Sequence, residues 1–247
     1  MSNQSNSDNV KQSIFGGNNQ IGGNVTIGSI TQNNHSGTTN QPTSPTENPD
    51  PKRTILMLAS SPVNIARLRL DREAREIGEG LRRAQKREQF TLQQKWAVRP
   101  DDLRRALLDF HPQILHFSGH GTGEKGLVLE NDRGKAQLVP TLALANLFKL
   151  FANRGVECVV LNACYAEVQA EAISRHINYV VGMSNEISDD AAIKFAVGFY
   201  DALGAGWSYE DAFDMGCSAI ALEGIPEELT PVLKNLKKSP INANKSG

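Results

Sequence analysis

Several signals that would place a protein quickly are missing from this chain. Its 247 residues include three cysteines, an odd number at irregular spacing, which excludes the disulfide framework of a small secreted domain. Lysine and arginine (26) nearly balance aspartate and glutamate (27), for a formal net charge of −1. That balance gives no electrostatic case for nucleic acid or for an anionic membrane surface as partner. No apolar run approaches the roughly 20 residues of a membrane span, and the first residues lack the charged-then-apolar pattern of a secretory signal. The expectation is a soluble, cytoplasmic protein with free thiols.

What is present divides into two compositions. Residues 1–50 are rich in Asn, Ser, Thr, Gln and Gly, with Pro45, Pro49 and Pro51 at their end. Such a segment buries too little apolar surface to offset its ordering entropy, and it reads as a disordered arm. One stretch inside it differs: "IFGGNNQIGGNVTIGSITQ", residues 14–32, sets Ile21, Val25, Ile27 and Ile30 among Gly and Asn, with no charge and no Pro. Uncharged, β-prone segments of this composition can stack into cross-β structure. Residues 51–235 read as one domain, and 236–247 as a polar tail.

In the domain, strands alternate with helices. Apolar or alternating runs at 54–60, 90–98, 113–119, 126–132, 156–164 and 179–185 read as strands. Helical periodicity marks 70–88, 99–110, 141–153, 167–176, 189–203 and 208–222. This pattern implies an α/β fold with a mostly parallel sheet and helices on both faces. In such sheets the site lies beyond the carboxyl ends of the strands.

Two of those ends carry chemistry. "LHFSGHG" (115–121) delivers His120 followed by Gly121, and "LNACYAE" (161–167) delivers Cys164. On neighbouring strands they form a Cys–His pair, the minimal apparatus for nucleophilic acyl transfer. The amides of Gly121 and Cys164 stand where they can stabilise an oxyanion. His116 points into a sheet face and reads as a packed or hydrogen-bonded histidine; Cys158 and Cys217 read as packing residues. A zinc site from His116, His120 and Cys164 lacks a further ligand at suitable spacing, so no metal is expected. "GHGTGEKG" lacks the Lys-Ser/Thr of a phosphate loop, so no nucleotide cofactor is expected either.

"HFSGHG" followed by "VVLNACYAE", with the cysteine 44 positions after the histidine (120 to 164), resembles the caspase-like CHAT family, in the clan of caspases, metacaspases and separase. "ILMLASSP", "LRLDREAREI", "GLVLE", "VVGM" and "SDDAAIKFAVGFYDALGAGWSYEDAF" extend the resemblance over about 54–222. It implies a caspase-like three-layer αβα sandwich. It also implies a cysteine endopeptidase with Cys164 as nucleophile and His120 as general base and acid, acting on a protein or peptide. Asn162, two before Cys164, is neutral where metacaspases carry Asp. Asp189, with Asp190 beside it, matches an acidic position of the family pattern. A carboxylate there can pair with a basic P1 side chain, or it can simply serve the N-terminus of the next helix. Many such modules carry a Trp near Asn185, and this chain does not.

"GGNNQIGGNVTIGSI" is similar to short Gly/Asn motifs by which some bacterial and fungal immune effectors receive an amyloid-templated signal. The expectation is an effector in bacterial defence or programmed cell death, engaged by a sensor protein or by self-assembly through residues 14–32. A tether or plain linker is the other reading of the arm. A non-catalytic scaffold, or an acyltransferase using the same dyad, is the other reading of the domain.

Overall fold

The computed structural model describes residues 52–236. The expectations for residues 1–50, including the 14–32 motif, and for the tail after Leu236 fall outside the described residues. In chain order the elements are β1 (Arg53–Ala59), α1 (Leu70–Arg83), β2 (Phe90–Trp96), α2 (Pro100–Phe110), β3 (Ile114–Ser118), β4 (His120–Gly121), β5 (Leu127–Glu130), β6 (Ala136–Val139), α3 (Thr141–Phe151), β7 (Cys158–Asn162), α4 (Glu167–Ile173), β8 (Tyr179–Met183), α5 (Asp189–Gly204), α6 (Tyr209–Leu222) and β9 (Pro231–Asn235).

The main sheet has the order β2-β1-β3-β7-β8-β9. All pairs are parallel except β8 with β9. Its central strands are continuous apolar runs because helices cover both faces, so both alternating sets of side chains are buried. On β1, Ile55 and Met57 pack with residues of α1, α5 and α6, whereas Leu56 and Leu58 pack with α2, α3 and α4. The three-layer αβα sandwich expected from the sequence is the observed fold.

Three features depart from the sequence reading. Helix α1 stops at Arg83, short of the periodicity that runs on to 88. Ala84 is extended (ψ 149°), and a Cβ on Gly204 would lie 2.5 Å from the Cβ of Ala84. The Lys86 N–H donates to the Gly204 carbonyl at 2.8 Å, so packing on α5 overrides local helical preference. Second, residues 136–139 form an unexpected strand. β5 and β6 make a hairpin, joined by β4 into a separate antiparallel sheet. The bend holds Gly134 at φ +68°, and Asn131 Oδ1 accepts from the amides of Arg133 and Lys135. Third, β9 adds an antiparallel edge in a stretch that the sequence reading left without structure.

Helices α5 and α6 cross closely at glycines. A Cβ on Gly216 would lie 2.7 Å from the Phe195 ring and 2.9 Å from the Phe195 carbonyl; one on Gly198 would lie 2.7 Å from the Ala219 Cβ. Gly216→Val should therefore overpack this crossing and destabilise the domain by about 1–3 kcal/mol. A urea titration should show a lower midpoint with an unchanged slope.

Candidate active site

The pairing of β3 with β7 brings the site together. Ser118 stands opposite Asn162 in the parallel register, and the Gly119 N–H donates to the Asn162 carbonyl at 3.3 Å. His120 and Cys164 are each two residues beyond that last pair. Both then leave the sheet sharply. Gly119 packs where a Cβ would lie 2.9 Å from the Ser60 carbonyl. After β7, the Ala163 N–H turns back to the Leu161 carbonyl at 3.0 Å, and the Tyr165 N–H donates to the Asn185 carbonyl at 3.1 Å, with Tyr165 at φ +55°. His120 and Cys164 thus line one crevice. Leu68, Arg69, Ile187 and Asp189 line it with them, and so do Glu73, Ser118 and Asn162.

The imidazole has a defined orientation. His120 Nε2 lies 2.8 Å from the Ala66 carbonyl. A carbonyl only accepts, so Nε2 carries the proton and Nδ1 is left as the basic atom of the neutral ring. Cys164 Sγ lies 3.8 Å from the Ile187 carbonyl. The Thr122 N–H donates to the Gly126 carbonyl at 3.0 Å, which makes Gly121–Leu127 a non-hydrogen-bonded pair and turns the Gly121 amide away from β5. Among the described residues the Cys164 amide has no acceptor either. The missing side chain of Gly121 makes room for the Cys164 carbonyl, which a Cβ would strike.

Beneath the dyad lies a buried polar network. Period-2 alternation puts His116 and Ser118 of β3, and Asn162 of β7, on the sheet face toward α1. Glu73 of α1, 2% exposed, meets all three. His116 Nε2–H donates to Glu73 Oε1 (2.8 Å), Asn162 Nδ2–H donates to the same oxygen (2.7 Å), and Ser118 Oγ–H donates to Oε2. Burial pushes the Tyr200 phenol well above its ordinary pKa, so it stays protonated and donates to His116 Nδ1 at 3.2 Å. The packed, hydrogen-bonded role expected of His116 is what its surroundings give it.

The structure places the remaining expected residues unevenly. Asn162 and Asp189 line the crevice; Asp190 does not. Asp190 Oδ1 pairs with Arg72 at 2.7 Å, and Arg72 also holds Glu76. Asp189 Oδ2 accepts the Arg69 N–H at 3.2 Å, while the side chain of Ser188, not Asp189, caps α5. Sequence reasoning missed Glu73 and Ser118. Glu73 left a trace in the sequence, a carboxylate three residues after Leu70 on the helix face that also carries Ala74, Ile77 and Leu81.

A parallel α/β sheet with histidine and cysteine at the ends of adjacent strands defines the class of caspase-like folds. Comparison with known proteins agrees. The CHAT domain model matches residues 29–215, and the chain belongs to that family. A Roc-COR-CHAT protease from an unknown prokaryotic organism is 29% identical over 160 residues, and a probable protease from Gillisia limnaea is 25% identical over 155. Each match covers 62% of this chain but only 15% and 27%, respectively, of those relatives. In fold, the chain is similar to a secreted C11 cysteine protease from Bacteroides thetaiotaomicron, solved with an irreversible peptide inhibitor (TM-score 0.53, 14% identity, 75% of this chain and 66% of that one). It is also similar to the Drosophila initiator caspase Dronc (TM-score 0.50, 11% identity, 74% and 79%).

The three thiols should separate by reactivity. Burial pushes the Cys158 thiol far up and the Cys217 thiol up to about 11; a raised thiol pKa means less thiolate at neutral pH. Iodoacetamide at pH 7.5 should modify Cys164 first, with Cys217 gaining only as the pH climbs toward 11 and Cys158 only on unfolding. Peptide mapping of a timed reaction checks the order.

Proposed function

We propose that this chain is a caspase-like cysteine endopeptidase of the cytoplasm that cleaves protein substrates after a basic P1 residue. It serves as an effector in bacterial defence or programmed cell death, switched on by a sensor protein or by clustering through residues 14–32. The observation that carries the peptidase reading is the shared crevice of His120 and Cys164, at equivalent positions past paired strands. Two relatives that are themselves called proteases support it.

A histidine and a cysteine in one crevice suit nucleophilic acyl transfer. His120 Nδ1 takes the thiol proton, and the Cys164 thiolate attacks the scissile carbonyl carbon. The amide of Gly121, turned away from β5, and that of Cys164 receive the developing oxyanion. The imidazolium returns its proton to the leaving amine as the C–N bond breaks. Water, deprotonated by the same imidazole, then hydrolyses the thioester and frees the thiol. The Ala66 carbonyl holds Nε2–H throughout and keeps the ring in the productive tautomer. The acidic lining of the crevice is what supports a basic P1 residue.

Cys164→Ala and His120→Ala should each lower cleavage of a positional-scanning peptide library on the order of 10³-fold or more, with thermal midpoints near wild type. Full turnover by Cys164→Ala would sink the Cys–His mechanism, and no cleavage by wild type would leave a scaffold role.

The clustering reading rests on the composition of the arm. A peptide spanning residues 10–35 should form fibrils with a cross-β reflection near 4.7–4.8 Å. A peptide that stays monomeric at high concentration would remove it.

A further inference from the structure

Asn162 carries an orphaned acceptor in the crevice. Its Nδ2 donates to Glu73 Oε1 at 2.7 Å and to the Ala192 carbonyl at 3.0 Å. Both partners only accept, so the orientation of the amide is fixed and the remaining atom is the oxygen. That Oδ1 is buried and has no partner among the described residues, in a side chain that lines the crevice two residues from the nucleophile. A buried acceptor left unpaired is costly, and a ligand donor is one way to satisfy it.

The charge behind it is equally incomplete. Glu73 Oε1 receives two hydrogen bonds and Oε2 one, which leaves Oε2 with acceptor capacity. His116 lies between Tyr200 and Glu73, hydrogen-bonded to both. Among the described residues Glu73 pairs with no lysine or arginine, in a site that water screens poorly. Two carboxylates, Glu73 and Asp189, line the crevice against one guanidinium, that of Arg69, an exposed residue at its mouth. Asp190, paired with Arg72, adds nothing there.

We infer that Glu73, together with Asn162 Oδ1, selects the P1 side chain, and that this side chain is Lys or Arg. The inference rests on the peptidase reading and moves the selecting charge from Asp189 and Asp190 to α1, where the sequence pointed to no site residue. A neutral donor at P1 would satisfy Asn162 Oδ1 but leave the carboxylate uncompensated. An acidic P1 would bring like charge toward it.

The test uses the full chain and irreversible peptidyl ketone probes identical except at P1, which carries Arg, its neutral isostere citrulline, Met or Asp. Labelling rates at Cys164 are read by intact mass. In wild type the Arg probe should react roughly 10-fold or more faster than the citrulline probe, the scale of a charge-assisted hydrogen bond in a buried site. In Glu73→Gln that ratio should collapse toward one, whereas a merely structural role for Glu73 would slow both probes and leave the ratio unchanged. An unchanged ratio overturns the inference. So does a wild type that takes citrulline, Met or Asp as fast as Arg, a result that needs no folded variant. Absence of labelling by every probe overturns the peptidase reading itself, and the inference with it.

Discussion

The parallel pairing of β3 with β7 is the constraint on which the site depends. Neither His120 nor Cys164 belongs to the main sheet, yet their relative placement is set by Ser118 standing opposite Asn162. A slip of β7 by one residue would turn Cys158 and Val160 out of the apolar layer under α1 and α5 and flip each alternate side chain of that strand to the opposite face. Both faces are buried, so that register has no low-energy neighbour. The hydrophobic core thereby fixes a distance between two side chains that it does not itself contain.

The second constraint is polar. A carboxyl group as deeply placed as Glu73 is expensive to desolvate, and three hydrogen-bond partners offset part of that expense. Those donors come from both site strands, so the carboxylate ties the layer of α1 to the ends of β3 and β7 at once. Around the rim, Asp189 accepts the Arg69 amide and Asp190 pairs with Arg72. These outer contacts are open to solvent and screened. The strut that matters for alignment is the buried one, and it ends in the same crevice that exposes the nucleophile.

The core strands were legible because burial on both faces leaves long apolar runs, and "TILMLAS" or "VECVVLNAC" can hardly be anything else. His120 and Cys164 were legible because each follows such a run at its carboxyl end. The edges were not. β6 and β9 are short and half-exposed, so their patterns carry little apolar signal, and the partner of β9, β8, lies far back along the chain. The end of α1 was hidden for a similar reason, since its stop is written in Gly204 and not in residues 84–88. Asp189 shows the limit on the polar side. Its composition fitted both a pocket wall and a helix terminus, and only tertiary structure shows its oxygen occupied by the Arg69 amide.

The small antiparallel sheet looks peripheral in the topology, but it holds the histidine from two directions. β4 is His120 and Gly121 themselves, paired with β5. The loop that carries Ala66 is fastened to the same hairpin. Val63 N–H donates to the Gly134 carbonyl, Asn64 Oδ1 accepts the Ala136 amide, and Glu130 Oε1 accepts the Ser61 amide. Leu127 and Leu129 root the hairpin in the core under α3. A histidine placed by one element and oriented by a carbonyl from another needs those two elements to keep their spacing. Here a single hairpin is hydrogen-bonded to both, which ties the ring and the carbonyl that sets its tautomer to one support.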